Sequence, residues 1–128
     1  LITVLLVTPD RNHLADLSTA IGSQGGAIDW KETGDQALET LRAQAADLVV
    51  VDETLPDMTG LEFIERLVAI NPMINCALVS SLSKADYHEA SEGLGVLMQL
   101  PPRPSQADAK RLITHLNQIL GFATAGNG

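Results

Sequence analysis

The chain has 128 residues, enough for one domain with a real core. Its formal net charge of −8 argues against a free-standing nucleic-acid binder, which presents a basic face, and disfavours docking on an anionic membrane surface. Apolar residues make up 45% and aromatic residues 3%, the profile of an aliphatic core in a sheet covered on both faces. Cys76 is the sole cysteine, so no intramolecular disulfide can form, and a thiol inside an apolar run reads as a small buried hydrophobe. No apolar stretch approaches the roughly 20 residues of a membrane span. Ile2 to Val7 is too short for a signal peptide and lacks a basic flank. The first residue is Leu, not Met, which leads us to expect a domain excised from something longer.

Short apolar runs alternate with segments of helical period. Ile2 to Val7 predicts a first strand, and Leu14, Leu17 and Ile21 then recur at helical spacing until Gly25-Gly26 ends the helix. Ala27 to Lys31 is a weak second strand. Thr33 and Gln36 have capping-box spacing ahead of Ala37, Leu38 and Leu41. Leu48 to Val51 is the central strand. Thr59 and Glu62 form another capping pair before Leu61, Ile64, Leu67 and Val68, and Asn71-Pro72 closes that helix. Asn75 to Val79 predicts a fourth strand, Ser83 caps a helix from Lys84 to about Glu92, and Gly95 to Leu100 predicts a fifth strand. Pro101, Pro102 and Pro104 force an extended turn. Ser105 caps a last helix carrying Leu112, Ile113, Leu116, Ile119 and Leu120. Residues 1–121 are expected to form one domain, with 122–128 a flexible tail or linker stub.

Five strand–helix units in sequence with short connections predict right-handed crossovers and a single doubly wound parallel α/β sheet between two helix layers. In the flavodoxin-like order 2-1-3-4-5, the switch point lies between the first and third strands, and ligands bind there, beyond the carboxyl ends. Asp10 and Asp52 follow those two strands.

The segment Val49-Val50-Val51-Asp52-Glu53-Thr54-Leu55-Pro56-Asp57-Met58-Thr59-Gly60 is the most informative part of the chain. A β-branched run ends abruptly in a carboxylate, and a Pro- and Gly-bearing turn then leads into a helix. This segment resembles the phosphoacceptor loop of bacterial response-regulator receiver domains, and the likeness extends over nearly the whole chain. The resemblance implies a (βα)5 signalling module of the bacterial cytoplasm, not an enzyme. It implies that Asp52 accepts a phosphoryl group from a histidine kinase or phosphotransfer protein. It also implies Mg²⁺ held by Asp52, the backbone carbonyl of Thr54 and an acidic residue after the first strand, a Ser80 hydroxyl on the phosphoryl oxygens, and output to an effector or a second copy through the fourth helix, fifth strand and fifth helix. The physics behind such a site is charge neutralisation, because phosphoryl transfer onto a carboxylate brings negative groups together.

The departures are specific. Where the family has two adjacent acids, this chain reads Thr8-Pro9-Asp10. Asp10 matches the second acid in one alignment. In another, Thr8 and Pro9 fill both acidic positions and Asp10 caps the first helix. Either way one carboxylate is lost, so the expectation is weak Mg²⁺ binding. The family's fifth-strand lysine falls on Leu100 and its switching aromatic on Leu97, while Arg103 reads as a solvated loop residue. Ser80 and its neighbours also suit capping of the next helix. His13, His88 and His115 lack metal-ligand spacing and read as surface residues, and Asp57 reads as a turn-maker. No phosphate-cradling glycine motif is present, which counts against a flavin-binding relative of the same fold. Two readings stay open: a phosphoaccepting receiver, or a phosphorylation-independent interaction or dimerisation module on the same fold.

Overall fold

The computed structural model describes residues 2–121. The five strands β1 (Thr3–Val7), β2 (Ala27–Lys31), β3 (Leu48–Val51), β4 (Cys76–Val79) and β5 (Met98–Leu100) form one sheet in the order β2-β1-β3-β4-β5, every neighbouring pair parallel. Helices α1 (Ala15–Ser23), α2 (Gly34–Ala43), α3 (Gly60–Ile70), α4 (Lys84–Ser91) and α5 (Gln106–Leu120) make the crossovers. The doubly wound, flavodoxin-like α/β fold expected from the sequence is therefore the one observed. The expected tail at 122–128 lies outside the described residues.

Strand alternation divides the core in two, because successive side chains point to opposite faces. Val4, Leu6, Leu48, Val50, Ala77, Val79 and Leu100 pack with α1 and α5 through Leu17, Ile21, Leu112 and Leu116, and with Leu14 just before α1. Leu5, Val7, Val49, Val51, Cys76 and Leu78 pack with α2 and α3 through Ala37, Leu38, Phe63, Ile64 and Leu67. Burial raises the Cys76 thiol to about 11, consistent with the inert hydrophobe expected of it.

Helix starts follow the sequence signals closely. Thr33, Thr59, Ser83 and Ser105 each accept a hydrogen bond from the amide three residues on. At Ser105 the reciprocal bond to Asp108 completes a capping box. Two differences from expectation bear on the site. A 3₁₀ turn at Arg11–Leu14 precedes α1, and Asp10 is its N-cap. Pairing in β5 is regular only over Met98–Leu100, because Gly93 and Gly95 hold left-handed φ angles of 82° and 67° and keep the chain turning until just before the strand. Helix α4 buries no residue completely, and along it only Tyr87 and Ser91 are partly buried.

Candidate functional site

Each side chain of the site is positioned by a strand end. The amide of Asp52 bonds the carbonyl of Val7 at 2.9 Å, which registers the residue after β3 against the end of β1. The loop that follows is held by a hydrogen bond from the Leu55 amide to the Met58 carbonyl at 2.9 Å, by one from the Gly60 amide to the Glu53 carbonyl at 2.9 Å, and by the Thr54–Thr59 bridge. Gly60 is required here, since a Cβ would strike the Asp52 carbonyl oxygen and the Leu78 side chain. Asp52 is 7% exposed, Thr8 1% and Ser80 4%. These three buried polar residues follow β3, β1 and β4 at the carboxyl edge of the sheet, where open α/β folds bind ligands.

The two oxygens of Asp52 have different surroundings. Oδ2 accepts from the Thr8 hydroxyl at 3.0 Å and meets His13 Nδ1 at 2.8 Å. Among the described residues, Oδ1 accepts only from the amide of Glu53, at 2.9 Å. His13 was expected at the surface. Its side chain is 38% exposed, and it lies in the 3₁₀ turn that carries it over the crevice. Its imidazole Nε2 stands 3.6 Å from Asp10 Oδ2. The sequence offered one usable signal for His13, its place in the segment between the end of β1, which borders the switch point, and α1. Helical and strand periodicities say nothing about a residue in a 3₁₀ turn.

The remaining expected residues take the following positions. Asp10 is about half exposed, and its Oδ1 accepts from the Asn12 amide at 2.9 Å, the capping arrangement of the second alignment. The Ser80 hydroxyl accepts from the Leu82 amide at 3.1 Å. Ser81 instead bonds Glu53 through its hydroxyl at 2.9 Å, and Ser83 supplies the α4 cap. Thr54 is exposed. Leu100 is fully buried in the α1–α5 half of the core, Leu97 packs against the same cluster, and Arg103 is exposed in a left-handed conformation with φ 53°. β5 itself, Met98–Leu100, therefore brings no cation to the crevice. Asp57 does more than turn the chain. Its two oxygens accept from the Gly34 amide at 2.9 Å and the Asp35 amide at 3.0 Å, at the start of α2. Desolvation works against its ionisation, but these amide bonds and the Arg66 charge outweigh it and hold the carboxyl below its ordinary value.

The arrangement defines a class: an open parallel α/β module with one buried carboxylate at its topological switch point. The chain matches the model of the response regulator receiver domain over residues 4–109, and it belongs to that family. It is 31% identical over 94 residues to sporulation initiation phosphotransferase F of Bacillus subtilis, a match covering 73% of this chain and 76% of that protein. It is 29% identical over 85 residues to transcriptional regulatory protein ZraR of Escherichia coli, covering 66% of this chain but only 19% of ZraR. The chemotaxis response regulator CheY4 of Vibrio cholerae superposes with a TM-score of 0.81 at 15% identity, over 91% of this chain and 98% of that one, a likeness of fold alone. No helix of the described residues is long and apolar enough to cross a membrane.

Receiver domains typically hold Mg²⁺ at an acidic site. The donor set here does not fit that ion. Mg²⁺ takes oxygen ligands at about 2.1 Å in an octahedron, with one or two carboxylates among them. Oδ2 of Asp52 is engaged by two donors, Asp10 is engaged in its turn, and Thr8 and Pro9 provide no charge. Among the described residues, no cluster of three or more His, Cys, Asp or Glu is suited to a metal.

Proposed function

We propose that this chain is a phosphoaccepting receiver module of a two-component relay, with Asp52 as the acceptor. The observation that carries this reading is the asymmetry of the Asp52 carboxylate. It is buried at the switch point with Oδ2 tied to two side chains, while Oδ1 receives a single backbone amide and keeps a lone pair for attack. In the reaction, Oδ1 attacks the phosphorus of the donor. The new O–P bond forms as the donor's P–N bond breaks, and the leaving nitrogen keeps that electron pair. The Ser80 hydroxyl accepts from the Leu82 amide, so its own hydrogen is free to donate to a phosphoryl oxygen. The donor is a histidine kinase or a phosphotransfer protein. Output passes through α4, β5 and α5 to an effector domain or protein, or to a second copy of the chain, and the setting is cytoplasmic.

The test is labelling with a small phosphodonor such as phosphoramidate, read by intact mass. The expected result is one phosphoryl group on the wild type and none on Asp52→Asn. Label that persists in Asp52→Asn sinks the assignment of Asp52, and an unlabelled wild type leaves an interaction module on the receiver fold.

A further inference from the structure

Oδ2 of Asp52 carries two side-chain contacts, Thr8 Oγ1 at 3.0 Å and His13 Nδ1 at 2.8 Å. An ionised carboxylate only accepts, so Nδ1 holds the proton on this contact, whichever charge state the ring has. The imidazole is also fixed from behind. The His13 amide bonds the Asp10 carbonyl at 3.0 Å, Asp10 Oδ1 caps the turn at Asn12, and Asp10 Oδ2 lies 3.6 Å from Nε2. The next residue, Leu14, is fully buried, so the turn cannot swing away without unpacking the α1 side of the core. Thr8 is clamped as well, its hydroxyl oxygen accepting from the Asp10 amide at 3.2 Å. The oxygen of Asp52 that faces β1 is thus met by built-in donors on a braced turn.

We propose that His13 occupies the place a divalent cation would need at Asp52, so that this crevice works without metal. The imidazole and the Thr8 hydroxyl hold Oδ2 and so orient Oδ1 as the reacting oxygen. His13 is a positioning residue, acting through Asp52. The orienting role rests on the reading of Asp52 as phosphoryl acceptor, whereas the exclusion of the cation does not.

Two measurements separate these parts. The first follows amide NMR shifts at Asp52, Glu53 and Thr54 during titration with Mg²⁺. The variants are His13→Ala, His13→Asn, whose amide nitrogen can stand where Nδ1 stands, Thr8→Asp, and Thr8→Asp combined with His13→Ala; their amide spectra also report whether each is folded. The wild type and His13→Asn should show no saturable shift at tens of millimolar Mg²⁺. The double variant should bind Mg²⁺ roughly tenfold or more tightly than Thr8→Asp alone. Saturable binding at Asp52 in the wild type, or a double variant no tighter than Thr8→Asp, overturns the proposal. The second measurement is the rate of labelling by phosphoramidate in Mg²⁺ and in chelator. The wild type and His13→Asn should label equally in both, and His13→Ala should label about tenfold more slowly in chelator. Loss of wild-type labelling in chelator overturns the metal-free site. If no variant is labelled in either condition, the acceptor reading and the orienting role fall together, and the titration alone decides the exclusion of the cation.

Discussion

The two sides of the crevice are built differently. On the β1–β3 side, a carboxylate, a hydroxyl and an imidazole converge within hydrogen-bonding distance, and both loops are fastened by further bonds, the Asp10 amide donating to the Thr8 hydroxyl and the Glu53 amide to Asp52. On the β4–β5 side, Leu100 is core, Leu97 packs against that core, and α4 lies over the sheet without one fully buried residue. The stitching there is polar but peripheral. The Gln99 amide reaches the Leu82 carbonyl at 3.0 Å, and Ser81 reaches Glu53. The contrast teaches that one side of the crevice can be polar while the other is packing on the same fold. The β4–β5 side keeps the architecture of a receiver, with Leu100 in the core at the position where the sequence resemblance aligns a lysine.

The comparison can be broken most strongly at Leu100. If its role is packing, Leu100→Ala should cost about 3 kcal/mol of stability in urea unfolding and leave the Asp52 and His13 resonances in place. A small loss of stability with large shifts at Asp52 would mean that Leu100 belongs to the site. On the other side, Gly60→Ala should cost about 2 kcal/mol, because its Cβ enters space held by the Asp52 carbonyl and Leu78. It should also displace the Asp52 amide resonance, which Leu100→Ala should not. Asp57 gives a smaller effect with a pH signature. Its carboxyl titrates below the ordinary 3.8 in the folded chain, so its contribution is present above that value and lost as the pH falls through the depressed one. Asp57→Ala should therefore cost about 1 kcal/mol at neutral pH, less in high salt because the group is exposed. The difference from wild type should vanish in strong acid. A penalty that persists in acid would show that the charge on the α2 amides is not the cause.

Much of this fold was legible because its signals are local or periodic. The Thr33, Thr59, Ser83 and Ser105 caps, the strand runs and the crossover order all follow from short-range spacing, and the strand-terminal Asp52 stood out for the same reason. What was not legible depends on how a loop folds back. His13 reaches Asp52 across 39 residues of sequence, and Asp57 caps α2 from 22 and 23 residues away. Both contacts exist only once β1 and β3 lie side by side. The Thr8-Pro9-Asp10 segment was legible as one carboxylate fewer than the family pattern, but the Thr8 hydroxyl bond to Asp52 was not, since a hydroxyl carries no spacing rule. The shortened β5 reflects the left-handed Gly95 that opens the run read as extended.

The smallest predicted effect lies on the quieter side of the crevice. Tyr87 is the main anchor of α4, packing against the α2–α3 half of the core, and burial raises its phenol to about 12. Its buried hydroxyl makes no hydrogen bond of ordinary geometry among the described residues; the nearby Ser91 hydroxyl tempers the rise but gives its own hydrogen to the Tyr87 carbonyl at 2.7 Å. A buried donor left unpaired loses its water without compensation, a penalty that opposes the packing of the ring. Tyr87→Phe keeps the ring and removes the penalty, so it should stabilise the chain by about 0.5–1 kcal/mol. It should also slow hydrogen exchange along α4 more than along α1, while the labelling of Asp52 stays unchanged. If Tyr87→Phe destabilises the chain instead, the hydroxyl has a partner in solution, and α4 is held more firmly than its exposed surface implies.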